Sequence, residues 1–296
     1  MSIQSSLGRL HISFDFEAGW GVWENGRWRE RERSKIYIDL RPTLRKFLKI
    51  LEDRELSLSW AVVGAMIDDD PMSKLDHLPI VAQRTIYEFY KNANESTTKG
   101  IDLFDMVKDC RINQQIGSHT YSHTRFSFPG YSESAKSEDL RLCNDVLASK
   151  GVDTPIDMFV FPLNDASDYS ALSNNNFRIA RTKPKKSANG SRLGKLTNLL
   201  AVPPMAVELT NNSRVVEHSG SMFMNWYGKG YRLRRNLVNR QALLGLNQAV
   251  QKKTAIHLWL HPFNLVETPN LMVDLTNFLD KAVNLRDKGH ISIGSF

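Results

Sequence analysis

The hydrophobic residues of this chain follow two alternating periodicities. Short runs of bulky residues, continuous or at every second position, predict strands, and longer stretches with apolar residues every three or four positions predict helices. The predicted strands cover residues 10–15, 58–63, 114–119, 157–161, 177–181, 255–261 and 291–294. The predicted helices cover residues 41–55, 79–92, 103–110, 137–150, 167–173, 237–250 and 271–288. Residues 215–224 show no clear preference.

This order of elements predicts an α/β protein. Strands that alternate with helices form parallel βαβ units, which build either a barrel or a doubly wound sheet. No linker and no internal repeat divides the chain, so we expect one domain over residues 1–296. Two stretches are expected to be loops: the tryptophan- and arginine-rich residues 20–35, on the surface, and a mobile basic loop over residues 183–195.

Composition narrows the class of protein. At 296 residues, with 41% hydrophobic and 24% charged residues, the chain resembles globular proteins rather than disordered or fibrous ones. No apolar stretch reaches the ~20 residues of a membrane helix, and no cationic and apolar leader opens the sequence. Cys110 and Cys143 are too few for a disulfide framework and are expected to be buried thiols. We therefore expect no integral membrane segment and a cytoplasmic location.

The charge balance is basic. Lys and Arg total 39 against 32 Asp and Glu, a formal net charge of +7, which suits an anionic partner but also occurs in proteins without one. Basic residues cluster in two places, at Lys183, Lys185, Lys186, Arg192 and Lys195 and at Arg232, Arg234 and Arg235. Both clusters are interpreted either as solvated surface or as a phosphate-binding rim. Because no recognition motif accompanies them, no nucleic acid partner is expected.

Polar side chains directly follow four of the predicted strands. They are Asp15 with Glu17, His119 with His123, Asn164, and His261. In parallel α/β architectures, reactive side chains gather at the carboxyl ends of the strands, so residues distant in sequence meet there. The sequence therefore predicts a site at this end of the fold.

The pair His119 and His123 is the sharpest of these signals. In a helical turn, a spacing of four places both imidazoles on one face, where both reach one ion. Neutral imidazole suits zinc and neighbouring divalent metals; the alternative is two core or surface histidines. A carboxylate from Asp15 or Glu17 would complete a three-ligand site with a position open for water, and the other carboxylate would accept a proton from that water.

His257 and His261 have the same spacing but lie in a predicted strand. At ~3.3 Å per residue the two are about 13 Å apart, too far to share one ion. Only His261, at the strand's end before Pro262, is placed near the other polar residues. It is interpreted either as a general acid or as a structural hydrogen-bonding group.

These motifs resemble, in order and spacing, those of the polysaccharide deacetylase family, the NodB-homology group of carbohydrate esterase family 4. Residues 12–17 look like the family's first motif, 118–123 match the second, 159–164 look like the third, 258–261 are similar to the fifth, and 60–64 resemble its second strand. The resemblance implies a distorted (β/α) barrel of about seven parallel strands in a single domain. It also implies a bound divalent metal ion, with Zn²⁺ as the expected identity.

The resemblance further implies roles for the site residues. Asp15 would be the catalytic base and His261 the general acid, and Glu17, His119 and His123 would bind the metal, although Asp15 and Glu17 can exchange roles. The residues implied to contact the substrate or the oxyanion are Leu163, through its backbone N–H, and Asn164, Trp20 and Arg181.

Three departures from the family pattern bear on the site. Phe16 separates Asp15 from Glu17, whereas the common first motif has adjacent aspartates. Phe161 and Leu163, rather than an arginine, flank Pro162 in the third motif. The candidates for the fourth motif, an Asp and a Trp that support the acid histidine, are Glu217, Trp226 and Arg234.

The resulting hypothesis is a metal-dependent hydrolase that removes an N-acetyl group from an amino sugar in the biosynthesis of surface polysaccharide or glycan. The basic clusters suggest a phosphate-bearing substrate, either nucleotide-linked or lipid-linked. One alternative is a related amidase or deformylase acting on another small amide, with or without a metal. Another is a catalytically silent barrel that binds glycans through Trp20, Trp23 and Trp28. The sequence gives no indication of the oligomeric state.

Overall fold

Ten strands form one sheet in the computed structural model, which describes residues 7–183, 202–210, 215–226 and 231–295. Their bounds are β1 (Gly8–Phe16), β2 (Ser59–Val62), β3 (Gln115–Ser118), β4 (Met158–Val160), β5 (Ile179–Thr182), β6 (Glu208–Thr210), β7 (Val216–Ser219), β8 (Met222–Phe223), β9 (Ala255–Leu260) and β10 (Ile291–Ile293). The strand order is β6-β7-β5-β4-β3-β2-β1-β9-β8, with β10 beside β1. Every pair is parallel except β6 with β7.

The predicted α/β barrel with parallel strands is confirmed, with more strands than the seven expected. The seven predicted strands all form, and the additional three are β6, β7 and β8. Two of these come from residues 215–224, where the apolar pattern was too short to decide. The third, β6, is a three-residue antiparallel strand at the margin of the sheet.

Helices connect the strands. Among the described residues they are α1 (Trp28–Arg33), α2 (Ile36–Asp53), α3 (Gly64–Ile67), α4 (Ile80–Asn92), α5 (Glu95–Thr98), α6 (Ile101–Lys108), α7 (Glu133–Ser149), α8 (Ser170–Asn174), α9 (Tyr231–Lys252), α10 (Asn264–Glu267) and α11 (Leu271–Asp287). Short 3-10 turns occur at Trp20–Val22, Pro71–Lys74 and Pro162–Asn164. Helix α2 begins five residues before the predicted start, because its buried stripe already includes Ile36, Tyr37 and Leu40.

The two ends of the strand order meet at one short segment. Strand β7 pairs with β5, strand β8 pairs with β9, and only residues 220 and 221 separate β7 from β8. The Gly220 N–H donates to the Thr182 carbonyl at 2.8 Å, and the Ser221 N–H donates to the His257 carbonyl at 2.8 Å. The sheet therefore curls so that this segment bridges its two sides, which gives the distorted barrel.

Strand β1 separates an apolar layer from a polar barrel interior. Its even-numbered residues Leu10, Ile12 and Phe14 are fully buried, and the Phe14 ring stacks on Trp60 with centroids 4.4 Å apart. Its odd-numbered residues point to the opposite face because side chains alternate along a strand; these are His11, Ser13 and Asp15, all buried. Each strand of the barrel can thus hold polar side chains inside while packing apolar ones against the helices.

The tryptophan-rich residues 20–35 are not the surface loop that was expected. Trp20, Trp23 and Trp28 expose 0%, 3% and 3% of their surfaces, and helix α1 forms within the mixed-charge run. The Trp20 ring lies 5.4 Å from that of Phe89, and its indole N–H donates to the Thr98 carbonyl at 2.8 Å. Burial of these large aromatic rings stabilises the segment, while most of its charged side chains stay in contact with solvent.

The second basic cluster lies within the described residues, and most of the first does not. Of the predicted loop over residues 183–195, only Lys183 lies within the described part of the chain, and it is exposed. In the second cluster, Arg235 pairs with Asp274 through bonds of 2.6 and 2.7 Å. None of the helices in the described ranges is both long enough and apolar enough to span a membrane.

Candidate active site

Three side chains converge at the carboxyl ends of β1 and β3. Glu17 directly follows β1, and His119 directly follows β3 with His123 four residues further on. Glu17 Oε2 lies 2.9 Å from His123 Nε2 and 3.3 Å from His119 Nε2. All three side chains are buried, and one ligand atom from each lies within 4.8 Å of the other two. We call Glu17, His119 and His123 the mouth cluster.

The loop of residues 119–123, rather than the expected helical turn, brings the two histidines together. Thr120 and His123 have left-handed backbone angles, with φ of 63° and 58°. The Thr120 hydroxyl accepts the His123 N–H at 2.9 Å, and the buried Asp139 carboxylate accepts the Tyr121 N–H at 3.0 Å. The imidazole centroids end 4.8 Å apart, so a spacing of four serves the same purpose without helical geometry.

The hydrogen bonds of the mouth cluster fit a cation between its three ligands. His119 Nδ1 lies 2.7 Å from the Val160 carbonyl and must donate its proton there, since a carbonyl only accepts. In the neutral ring, His119 Nε2 then presents a lone pair to Glu17. His123 Nε2 is buried, close to Glu17 and without a hydrogen bond of acceptable geometry. Lone pairs that face a carboxylate favour a positive ion between them.

The backbone of Gly21 forms the floor under the Glu17 carboxylate. A Cβ atom at this glycine would lie 1.8 Å from Glu17 Oε1 and 2.1 Å from its carboxyl carbon. No side chain fits there without moving the carboxylate. The 3-10 turn Trp20–Val22 therefore leaves room for the Glu17 carboxylate because Gly21 has no side chain.

Asp15 is held by Arg181, which comes from β5. The guanidinium Nη2 donates to Asp15 Oδ2 at 2.7 Å, and Nη1 donates both to Asp15 Oδ1 and, at 3.0 Å, to the Ser13 hydroxyl. Burial raises the pKa of Asp15, but the positive charge of Arg181, with the nearby His119 imidazole, outweighs it, so the pKa lies below its ordinary value. Asp15 is thereby kept ionised although only 3% of its surface is exposed.

Glu17 is ionised for a similar reason. Burial raises its carboxyl pKa, whereas the neighbouring imidazoles of His261, His123 and His119 lower it by more. The result is a pKa well below the ordinary value. The buried negative charge at the mouth is therefore stabilised by groups that surround it.

His261 completes the arrangement. Its Nε2 lies 3.4 Å from Glu17 Oε1 and 3.9 Å from Asp15 Oδ2, and its ring stacks on Phe263 at 4.7 Å. The side-chain oxygen of Asn264 accepts the His261 backbone N–H at 2.9 Å and lies 3.0 Å from Nδ1. Asn264 thus fixes the ring with Nε2 toward the two carboxylates.

The side chain that bonds His261 Nδ1 in the structure is Asn264, which was not among the candidates for the fourth motif. Trp226 is buried and donates its indole N–H to the Pro269 carbonyl at 3.1 Å. Glu217 lies in β7, and Arg234 is exposed on α9. Asn264 could have been found from the sequence as an amide side chain three residues after His261. Pro262 between them favours a turn, which brings Asn264 back toward the histidine.

A cavity of about 250 Å³ opens beside these residues. Asp15, Glu17 and His261 line it, whereas His119 and His123 lie behind Glu17. Its other walls are polar and aromatic, formed among others by Asn25, Arg27, Arg31, Phe223, Asn225, Trp259, Phe263 and Asn264. This mixture can hold a small polar molecule with apolar faces.

The four residues expected to contact substrate or oxyanion divide into two pairs. Leu163 and Asn164 line the cavity, Leu163 being 49% exposed. Arg181 has no exposed surface, so it meets Asp15 rather than a substrate, and its Nη2 also donates to Asn164 Oδ1 at 3.2 Å. Trp20 is fully buried in the core and has no surface with which to contact a sugar. The available signal for the role of Arg181 was a charged residue at the end of the predicted apolar strand 177–181.

One solved structure shares this architecture at a TM-score above 0.5. A proposed polysaccharide deacetylase from Mycobacterium smegmatis is 15% identical to the chain and superposes with a TM-score of 0.63, covering 100% of this chain and 90% of that one. The chain has the polysaccharide deacetylase fold. A family 4 carbohydrate esterase from Streptomyces lividans, solved with acetate, is 10% identical over 97% of this chain and 92% of its own, with a TM-score of 0.44.

A family 4 acetyl xylan esterase from Clostridium thermocellum, solved with a cobalt ion, is 13% identical, with a TM-score of 0.44 and coverage of 97% of this chain and 87% of its own. A scan against protein-family models finds no match, and a search of curated proteins finds none either. The polysaccharide deacetylase fold is therefore recognised through its three-dimensional arrangement.

Backbone strain within this deacetylase fold is concentrated at the mouth. Ten described residues other than glycine have a positive φ. Five of them lie on the loops around the mouth cluster and the cavity: Ala18, Thr120, His123, Leu163 and Asn164. Such conformations cost about 1 to 2 kcal/mol each, and they persist where the surrounding structure enforces them, commonly at functional sites.

Proposed function

We propose that the chain is a metal-dependent carbohydrate deacetylase that hydrolyses the N-acetyl group of an amino sugar. The observation that carries the proposal is the convergence of Glu17, His119 and His123 beside Asp15 and His261 at the end of a polysaccharide deacetylase fold. The family resemblance of the same motifs in the sequence supports it independently. The preference for nitrogen-linked over oxygen-linked acetyl groups belongs to the proposal.

The mouth cluster would hold the metal ion. Two imidazoles and one carboxylate are the donors of many catalytic zinc sites, and the orientation of His119 by the Val160 carbonyl is typical of a metal ligand. When bound there, a divalent ion lowers the pKa of a water molecule and polarises an acyl oxygen.

Asp15 would accept the proton of the attacking water. Arg181 occupies one lone pair on each carboxylate oxygen, which leaves further lone pairs for a water. Because the pKa of Asp15 is lowered, the group is ionised and ready to accept at neutral pH. The Leu163 backbone N–H, on the left-handed turn at the cavity rim, would donate to the oxyanion.

His261 would protonate the departing amine. Asn264 Oδ1 accepts from Nδ1, so the proton that can be transferred lies on Nε2, the atom that faces Asp15 and Glu17. The aromatic walls Trp259, Phe223 and Phe263 would pack on the apolar face of a sugar ring, and Asn164 and Asn225 would bond its hydroxyls.

Acetate release tests the proposal. Purified full-length protein, loaded with Zn²⁺ or Co²⁺, is incubated with chitooligosaccharides and with O-acetylated xylan, and both acetate and new amino groups are measured. We expect acetate with an equal amount of amine from the first substrate, and its loss in His119→Ala together with the loss of one equivalent of bound metal. His290→Ala, which changes an exposed histidine outside the site, is the matched control and keeps both.

Acetate release that persists in His119→Ala contradicts the role of the mouth cluster. Release of acetate from O-acetyl substrates alone contradicts the N-deacetylase assignment while keeping the hydrolase. The silent glycan-binding alternative has little support, because the three tryptophans on which it relied are buried. A phosphate-bearing substrate and a cytoplasmic location stay predictions, since most of the basic loop lies outside the described residues.

A further inference from the structure

A second group of histidines lies deeper in the barrel, on the amino-terminal side of Asp15. Side chains that face the interior follow one another along β1 as Asp15, Ser13 and His11, so His11 is about 13 Å from Asp15 along the strand. His218 from β7 meets His11 edge to face, with ring centroids 4.7 Å apart. Glu208 from β6 lies at the end of this group, partly exposed.

One ligand atom from each of His11, His218 and Glu208 lies within 4.8 Å of the other two. His218 Nε2 is 3.8 Å from Glu208 Oε1. Ligand atoms on one tetrahedral zinc ion are roughly 3.4 Å apart, given bonds of about 2.1 Å. A small movement of the partly exposed Glu208 side chain therefore brings all three donors to bonding distance of one ion. We call these three residues the lower cluster.

The neighbours of the lower cluster orient its imidazoles as metal ligands are oriented. His11 Nδ1 lies 3.1 Å from the Gly294 carbonyl and donates to it, which leaves the lone pair of the neutral ring on Nε2. His218 Nδ1 lies 3.2 Å from His257 Nδ1, whose other nitrogen lies 2.8 Å from the Ser13 hydroxyl. With the proton of this pair on His218 Nδ1, His218 Nε2 offers a lone pair toward Glu208. Outer hydrogen bonds of this kind fix the tautomer of metal-binding histidines.

We propose that His11, His218 and Glu208 bind a second divalent transition-metal ion, separate from any ion at the mouth cluster. Two imidazoles with one carboxylate select zinc-like ions over Mg²⁺ and Ca²⁺, which prefer oxygen ligands. The three donors come from β1, β6 and β7, so the ion fastens the marginal strand β6 to the barrel interior. The role is structural, and it is independent of the proposed hydrolysis.

Arg9 competes with the ion for Glu208. Its Nη1 lies 2.9 Å from Glu208 Oε1, in a half-exposed ion pair. An ion can bind only if Glu208 turns from Arg9 toward the imidazoles, or offers its second oxygen. Removal of the arginine charge therefore strengthens metal binding, whereas a purely structural polar cluster has no metal affinity to strengthen.

Metal binding by the variant His119→Ala/His123→Ala tests the proposal, because the mouth cluster is then disabled. The full-length protein is stripped with a chelator and titrated with Zn²⁺, and bound zinc per chain and the unfolding temperature are measured. We expect one equivalent of zinc and a rise in the unfolding temperature. Adding Glu208→Gln is expected to weaken binding at least 10-fold, and adding Arg9→Gln to tighten it several-fold.

Both added substitutions change half-exposed side chains, so the variants are expected to fold, and far-ultraviolet circular dichroism checks this. His290→Ala in the same background is the control and leaves zinc binding unchanged. Absence of bound zinc in the double variant overturns the proposal. Zinc that is retained with equal affinity after Glu208→Gln overturns it as well, since the ion would then lie elsewhere.

Discussion

The two histidine clusters of this barrel have opposite electrostatics. At the mouth, imidazoles surround the buried carboxylate of Glu17, whose pKa they hold well below the ordinary value. In the lower cluster the carboxylate of Glu208 is partly exposed, and burial together with the Arg9 charge lowers the pKa of His11 to about 4. Histidine side chains thus stabilise a buried negative charge at the mouth and stay neutral in the lower cluster. A buried carboxylate, rather than the histidines themselves, makes the difference.

The largest expected effect comes from displacing that carboxylate. In Gly21→Ala the new methyl group would overlap the Glu17 carboxyl group. The carboxylate must then move away from its position between His119 and His123. We expect kcat/KM for acetate release to fall roughly 1000-fold, or about 4 kcal/mol, with loss of the one equivalent of metal bound at the mouth cluster. Gly294→Ala, where a Cβ has nothing within 4 Å, serves as the control. Normal turnover and metal content in Gly21→Ala would show that Glu17 is not a ligand.

The second effect is on stability and belongs to the lower cluster. In metal-free protein, the unfolded His11 binds a proton below pH ~6.5, whereas the folded one does so only near pH 4. Between these values the unfolded state binds more protons at His11, so the contribution of His11 to stability falls by about 3 kcal/mol as the pH falls. His218 and His257, whose pKa values burial also lowers, add to the same loss. His11→Gln should therefore make this part of the curve shallower, measured by urea unfolding in EDTA from pH 7.5 to 4.

The carboxylates at the mouth change the stability over a lower pH range than His11 does. The pKa values of Asp15 and Glu17 are lowered, so their contribution to stability is present above the ordinary carboxyl values, about pH 4, and is lost below them as these groups protonate.

Identical unfolding curves for the wild type and His11→Gln between pH 6.5 and 4 would contradict the neutral state assigned to His11 in the lower cluster.

The smallest effect concerns the orientation of His261. Asn264→Ala removes the acceptor of its Nδ1–H, and we expect kcat to fall roughly 10- to 30-fold with little change in KM. Asn264→Asp restores an acceptor and adds a negative charge, which favours the imidazolium. Since the acid form is lost as the pH rises, the alkaline limb of the kcat profile should move upward by about one unit. An unchanged profile in the Asp variant would indicate that Asn264 has a structural role only.

Most of the fold could be predicted from the sequence because its strands carry strong local patterns. Each of the seven predicted strands forms, including β3, which ends one residue before His119. The short strands β7 and β8 depend on partners that are distant in the chain, β5 and β9, and two to four residues carry too little pattern to reveal this. The burial of Trp20 was missed for a related reason, since its partners Phe89 and Thr98 lie about 70 and 78 residues away.

The candidate site could be predicted from the sequence to a similar extent. Residues at strand ends were found because the end of a strand is visible in sequence, and the structure brings Glu17, His119 and His123 together. The contact of Arg181 with Asp15 spans 166 positions, and nothing in the local sequence specifies which carboxylate a buried guanidinium meets. The lower cluster was hidden because His11, His218 and Glu208 sit within strands, where a polar residue facing the interior looks like ordinary alternation.

The bridging of the sheet by residues 220 and 221 has a further consequence for how the molecule opens. Adjacent long strands share many hydrogen bonds, but β8 contributes only two residues to its pairing with β9. Solvent would therefore enter the barrel first along this seam, where few bonds must break at once. The backbone at the seam bonds directly to His257, so deuterium uptake by the interior would begin at that histidine and spread from there toward the catalytic end.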